Sequence, residues 1–233
     1  MSRVKPIPHP LLRSEARREI LRCIFDGRLA PGERIIEIEL AEELDISRTP
    51  LREALIGLER DGFFCRSGRL GLYVPRLTIH DIEEICELLG ALEALALRWS
   101  GLPRPETITD LERLTDEMCR ATECKRAMRL DESWHGLVLD DCSNQHLLRS
   151  IAAHKEKWQH YEHAYVRSRK CAPPAGLNHK LGFLYSCRMG KVHEAATQLE
   201  DSWRSRTGPL VDWLREEEAL GVLPHLRPAP SRA

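Results

Sequence analysis

Leu40-Ala41-Glu42-Glu43-Leu44-Asp45-Ile46-Ser47-Arg48-Thr49-Pro50-Leu51-Arg52-Glu53-Ala54-Leu55 is the stretch that decides the fold. It reads as two short helices joined by a tight turn. The first runs through Ile38–Leu44, and Asp45-Ile46-Ser47 makes the turn around a buried isoleucine. Ser47 or Thr49 caps the second helix, and Pro50 falls in its first turn, where the missing N–H costs nothing. Leu51, Ala54, Leu55 and Leu58 then recur on one face until Asp61-Gly62 ends the helix. Two helices in this order form a helix-turn-helix. Upstream, Ser14 is the expected N-cap of a helix reaching about Asp26, with Ile20, Leu21, Ile24 and Phe25 on one face. Gly27 stops that helix, Pro31-Gly32 turns the chain, and Arg34-Ile35-Ile36 is a short extended piece. Downstream, Phe63-Phe64-Cys65-Arg66 and Leu72-Tyr73-Val74 flank Ser67-Gly68-Arg69-Leu70-Gly71, which predicts a β-hairpin, or wing.

The polarity of the second helix of this motif points to DNA. A recognition helix enters the major groove by its N-terminal turn, so base-reading side chains belong at its start. That start carries Arg48, Thr49 and Arg52. Arg48 and Arg52 are four residues apart on one face, away from the leucine stripe. An arginine bonds guanine O6 and N7 bidentately. Arg66 and Arg69 make the wing basic as well.

Composition neither demands nor forbids this reading. The 233 residues are 42% hydrophobic and 30% charged, with a formal net charge of −1, as in an ordinary globular protein of two modest domains. Residues 1–76 carry 14 Lys and Arg against 12 Asp and Glu, so the DNA argument rests on where the basic residues sit. No apolar run approaches the roughly 18 residues of a membrane span. The basic, proline-rich N-terminus lacks the apolar core of a signal peptide and is expected to be a loose arm on a cytoplasmic protein. The eight cysteines are scattered without a C-x-x-C pair and are expected to be reduced thiols.

The quoted stretch resembles the GntR family of bacterial regulators, whose typical form here is L-A-x-x-L-x-V-S-R-T-P-V-R-E-A-L. Pro31-Gly32-Glu33-Arg34, Leu58-Glu59-Arg60-Asp61-Gly62 and Gly71-x-x-Val74 match too, and the resemblance spans residues 14–76. It implies that Arg48, Thr49 and Arg52 contact bases and phosphates and that the wing around Gly68–Gly71 enters the minor groove. Arg34, Ser47, Arg66 and Arg69 complete the implied DNA-contacting set. Asp45 stands where the family commonly has glycine, and aspartate accepts a left-handed conformation better than most residues.

Beyond a boundary near Arg76, strand alternation is absent. Ile82, Ile85, Leu88, Leu89, Leu92, Leu95 and Ala96 keep helical spacing to about Trp99. Further helices are expected at 108–122, 125–142, 145–169, 178–189 and 191–218, with a loop at 171–176 and a frayed tail from Leu223. The fold class is therefore mainly α: a winged helix-turn-helix over 1–76, followed over 77–233 by an all-α antiparallel bundle of six to seven helices. Trp158, Tyr161 and Tyr165 either line a pocket or pack between helices, and His160 and His163 are expected to face solvent.

This second part resembles the FadR-like, FCD-type effector domain in Ile82-Glu83-Glu84-Ile85, Ala91-Leu92-Glu93, and Asp131-x-x-x-His135 with Asn144 nine residues on. The resemblance implies a homodimer, a small-molecule effector that is often a carboxylate, and a divalent metal such as zinc or nickel held by one Asp and three His. Asp131 and His135 are spaced to face one cavity. Alignment on Gly190-Lys191 and Ala195, however, places Lys180 and Ser202 where histidines are expected. His179 comes one residue early, about 100° away around a helix, so a bulge is needed to bring it in. Two outcomes stay open: a metal held by Asp131, His135 and His179, or His135 as a hydrogen-bonding residue of an effector pocket with Trp158. Leu89 stands where the family usually has an arginine for a ligand carboxylate, which favours a neutral or more apolar effector.

Three functions are compatible with a chain of this kind. The first is a regulator, most simply a repressor, that binds double-stranded operator DNA as a homodimer under control of an effector. An enzyme built on Asp131 and His135 lacks any phosphate loop or nucleophile elbow and is not expected. An architectural DNA-binding protein whose bundle only dimerises is the third.

Overall fold

The computed structural model describes residues 9–68, 71–168 and 176–220. The expected N-terminal arm, the tip of the wing with Arg69, most of the 171–176 loop and the tail from Leu223 lie outside the described residues. The chain divides into two compact units between Leu77 and Thr78.

In the first unit the helices are α1 (His9–Phe25), α2 (Glu37–Glu43) and α3 (Arg48–Arg60). They precede an antiparallel hairpin of β1 (Cys65–Ser67) and β2 (Gly71–Tyr73), in register with Arg66 opposite Leu72. Arg34 bridges Tyr73, and the Ile35 N–H donates to the Leu72 carbonyl at 2.8 Å, so the predicted extended piece docks on the hairpin. Ile20 and Ile24 of α1, Leu51, Leu55 and Leu58 of α3, and Phe64 and Val74 near the wing close one core. Ser14 is not an N-cap: α1 begins before it, and Ser14 is an exposed interior residue. The flanking sequence His9-Pro10-Leu11-Leu12 carries the helix upstream, with Pro10 in the first turn, where it is tolerated.

The turn between α2 and α3 is a Schellman motif. The Ile46 N–H donates to the Ala41 carbonyl at 3.0 Å and the Asp45 N–H to the Glu42 carbonyl at 3.2 Å. Such a motif requires a left-handed residue, and Asp45 supplies it with φ 50°, the sole non-glycine at positive φ among the described residues. Ser47 occupies the N-cap of α3 but its side chain makes no capping bond.

The second unit, Thr78–Glu216, holds the antiparallel helices α4 (Ile79–Ser100), α5 (Pro105–Arg120), α6 (Cys124–Leu139), α7 (Gln145–Ser168), α8 (Leu177–Arg188) and most of α9 (Val192–Ala219). Thr78 caps α4 by accepting from the Asp81 N–H at 3.1 Å, Pro105 opens α5, and Asn144 accepts from the Leu147 N–H at the start of α7. Gly101, at φ 82°, ends α4. Trp134, Phe183, Leu111, Leu114, Leu199 and their neighbours form the apolar core, and the buried Trp134 indole donates to Thr115 Oγ1 at 3.1 Å. Cys124 is disulfide-bonded, which departs from the all-thiol expectation, whereas Cys23, Cys65, Cys86, Cys119, Cys142 and Cys187 are free. His160 is buried, against the expectation that it faces solvent, because α7 turns it toward the same interior as Tyr161 and Ala164. No helix among the described residues is long and apolar enough to cross a membrane.

Candidate functional site

The start of α3 is a polar face on an apolar foundation. Pro50, Leu51, Ala54, Leu55 and Leu58 are buried and fix the rotation of the helix. Ser47, Arg48, Thr49 and Arg52 are consequently turned to solvent. Arg48 has no ion-pair partner among the described residues, while Arg52 Nε donates to Glu37 Oε2 of α2 at 2.8 Å. An exposed pair of this kind contributes at most about 1 kcal/mol, so Glu37 orients Arg52 without locking it. On the wing, Arg66 is exposed and 3.5 Å from Glu59, and Gly68 is exposed with open space around its α-carbon. Gly71 takes φ 71°, and a Cβ there would sit 3.8 Å from Arg34 Nε, which places exposed Arg34 beside the wing. Of the expected DNA-contacting residues, all but Arg69 are described, and they belong to two surfaces, the α3 start and the wing with Arg34.

In the helical unit, Asp131 and His135 of α6 meet a different set of partners from the one expected. His179 is not brought to them: its Nδ1 lies 3.3 Å from Gln198 Oε1. Lys180, the next residue, is brought in, with Nζ 2.8 Å from Asp131 Oδ1 and 3.4 Å from His135 Nε2. From α9, Arg206 donates to both Asp131 oxygens at 2.8 Å and to His135 Nε2 at 2.8 Å. The other ring nitrogen, His135 Nδ1, is 2.6 Å from Glu93 Oε2 of α4. Glu93 also accepts from the Trp203 indole at 2.9 Å and pairs with Lys155 of α7 at 2.7 Å. Asp131, His135, Glu93, Lys180 and Arg206 are all buried.

The electrostatics follow from burial and pairing. Burial pushes His135 down to about 4, with Glu93 opposing and Lys180 reinforcing the shift. The ring is therefore neutral, donating from Nδ1 to Glu93 and accepting at Nε2 from Arg206. Burial alone would raise the Asp131 carboxyl, yet the Arg206 and Lys180 charges hold it well below the usual range. Burial lowers Lys180 to about 8, and Asp131 opposes that shift, so the ammonium is charged at neutral pH. Half-buried Glu162 is raised to about 7 by burial and by the Asp131 charge. Trp158 stacks edge-on to Trp203 at 5.5 Å, with the Arg206 guanidinium 4.5 Å from the Trp203 ring, so its ring walls the network. Tyr161 instead joins Thr78 and Asp81, and Tyr165 packs on Trp213. Leu89 is fully buried.

Glu93 lies in the Ala91-Leu92-Glu93 match but without an assigned role, and Lys155 and Arg206 carry no motif at the level of sequence. Each is a single charged residue on an amphipathic helix, a pattern that ordinarily marks a solvated face. Only the placing of four helices around Asp131 reveals their role.

Comparison with known proteins agrees with these two units. Residues 12–74 match the family described as bacterial regulatory proteins, gntR family, and residues 84–180 match the FCD domain. An HTH-type transcriptional regulator of Bacillus subtilis, YdhC, is 33% identical over 162 residues, covering 67% of this chain and 70% of that protein. The chain belongs to the gntR family of regulators. The Nta operon transcriptional regulator of Aminobacter aminovorans is 30% identical over 156 residues, covering 59% of this chain and 73% of its own length. The fold is shared with Escherichia coli McbR/YncC at a TM-score of 0.67 and 18% identity, over 87% of this chain and 98% of that one. A GntR regulator from Rhodococcus has the same TM-score, 0.67, at 17% identity, with 86% and 97% coverage. As a member of the gntR family the protein is a DNA-binding transcriptional regulator, and no relative among these is described as an enzyme.

Proposed function

We propose that this gntR-family regulator is a homodimeric repressor that reads its operator with Arg48, Thr49 and Arg52. The observation that carries the reading is the α3 start, where two arginines four residues apart stand exposed above a buried leucine stripe. Two such helices enter successive major grooves about 34–36 Å apart on a near-palindromic site. Arg34 and the wing residues Arg66, Gly68, Arg69 and Gly71 add backbone and minor-groove contacts, and Ser47 faces a phosphate. The helical unit carries the dimer contact and an effector site beside Asp131, His135 and Trp158. Because Leu89 offers no charge and Lys180, Arg206 and Lys155 are each engaged by a carboxylate, the effector is uncharged or largely apolar, and its binding lowers operator affinity.

Selection of bound sequences from random duplex DNA tests the first part. A near-palindromic consensus, bound by two chains, is expected, and binding with no sequence preference would count against it. A second reading, a regulator whose bundle only assembles, is favoured by the filling of the Asp131 site by the chain's own side chains. A melting-temperature screen against metabolites separates the two, since any ligand of the native state stabilises it.

A further inference from the structure

We infer that Lys180 and Arg206 together replace a divalent metal in the helical unit, holding Asp131 and His135 in a metal-like constellation that needs no ion. A metal bound there would have to take one lone pair from an Asp131 oxygen and one from His135 Nε2, at about 2.0–2.2 Å. Both are already committed. Arg206 bonds both Asp131 oxygens and His135 Nε2 at 2.8 Å, and Lys180 lies 2.8 Å from Asp131 Oδ1. The two cations bring the formal charge of one divalent ion to the same carboxylate and the same ring nitrogen. A protonated lysine and a guanidinium have no lone pair to offer, so neither can join a coordination sphere.

The rest of the shell fits this assignment. Metal-ligating histidines usually donate their other ring N–H to a carboxylate, which fixes the tautomer. His135 keeps such a partner in Glu93, 2.6 Å from Nδ1, although the group at Nε2 is now Arg206. His179, the further imidazole a metal would require, is engaged with Gln198. Ser202, one turn before Arg206 on α9, is buried, and its Oγ makes no hydrogen bond to Asp131 or any other described group. Among the described residues no group of three His, Cys, Asp or Glu is placed to hold an ion. The exchange also preserves the metal's mechanical role, because Lys180 ties α8, and Arg206 ties α9, to α6.

The test uses full-length protein without DNA, so its failure is distinct from failure of the regulator reading. Protein purified without chelator is analysed for metal, and its melting temperature is compared in EDTA and in excess zinc or nickel. No stoichiometric metal and the same melting temperature in all three conditions are expected. One zinc or nickel per chain, with a melting temperature that falls on chelation, overturns the inference. Asp131→Asn supplies an independent readout. It should lower the melting temperature equally with and without EDTA, whereas a loss that vanishes in EDTA identifies Asp131 as a metal ligand. If that variant does not fold, Lys180→Met read in the same way decides the point: its loss is equal in both conditions under the inference, and chelator-dependent otherwise.

Discussion

Arg206 of α9 grips both carboxylate oxygens of Asp131 on α6 at 2.8 Å, in a buried bidentate pair. Such a pair adds little relative to well-packed apolar residues, but removing one partner leaves the other short of its hydrogen bonds in a low-dielectric interior. Arg206→Met leaves Asp131 with Lys180 as its remaining cation, and is therefore expected to cost about 3 kcal/mol, the lower end of the range for a broken buried pair. Urea unfolding measures it, and a loss below about 1 kcal/mol, the range of an exposed ion pair, would show that the pair is solvated.

Acid sensitivity follows from two buried histidines. His135 and His160 are each pushed from an ordinary 6.5 down to about 4, chiefly by burial. As their folded values lie below the unfolded ones, both contribute stability that is lost as pH falls from 6.5 toward 4. Glu162 opposes them: raised from 4.5 to about 7, it keeps in the folded state a proton that the unfolded chain releases. Between pH 4.5 and 6.5 the unfolded chain is left with one proton in excess, so stability rises with pH by about 1.4 kcal/mol per unit. The urea midpoint should fall as pH is lowered through this window, and His160→Gln should flatten the dependence. A midpoint that rises on acidification contradicts the assignment.

The two units differ in how far local sequence specifies them. The leucine stripe of α3 and the facing arginines are set by local helical periodicity, so residues 48–58 suffice to place them. Asp45 in the left-handed turn is equally local. The network around Asp131 joins residues up to 113 positions apart on five helices, from Glu93 to Arg206, and no spacing rule links them. Lys180 stands out in the sequence as a departure from histidine, but its consequence does not, because nothing in the sequence singles out Arg206 as its companion. His160 departs from the expected solvent face for a related reason: the 24-residue α7 contacts α4, α6 and α9, so helical spacing alone does not define its solvent face.

The left-handed Asp45 stores strain. An L-residue at positive φ is disfavoured by roughly 1–2 kcal/mol, part of which glycine returns as entropy of the unfolded chain. Asp45→Gly should therefore stabilise the head by up to about 1 kcal/mol, read by urea unfolding. Asp45→Val should destabilise it, since a β-branched residue tolerates this conformation least. Stabilisation by valine would mean that the turn is not left-handed.

Close packing of α4 on α9 predicts a further effect on stability. A Cβ on Gly90 would lie 3.1 Å from Glu200 Cα and 3.3 Å from its carbonyl oxygen, both backbone atoms that cannot swing aside. Gly90→Ala is expected to cost about 1–3 kcal/mol despite the better helix propensity of alanine. A stabilised variant would show that the two helices have room to part.

Operator titration of Arg48→Ala and Arg52→Ala tests the central claim most directly. Each substitution should weaken binding to the selected operator by about 1–3 kcal/mol where the arginine reads a base. Because both side chains are exposed, each should leave unfolding stability within about 1 kcal/mol of wild type. If both variants bind the operator with wild-type affinity, the α3 start is not the reading face.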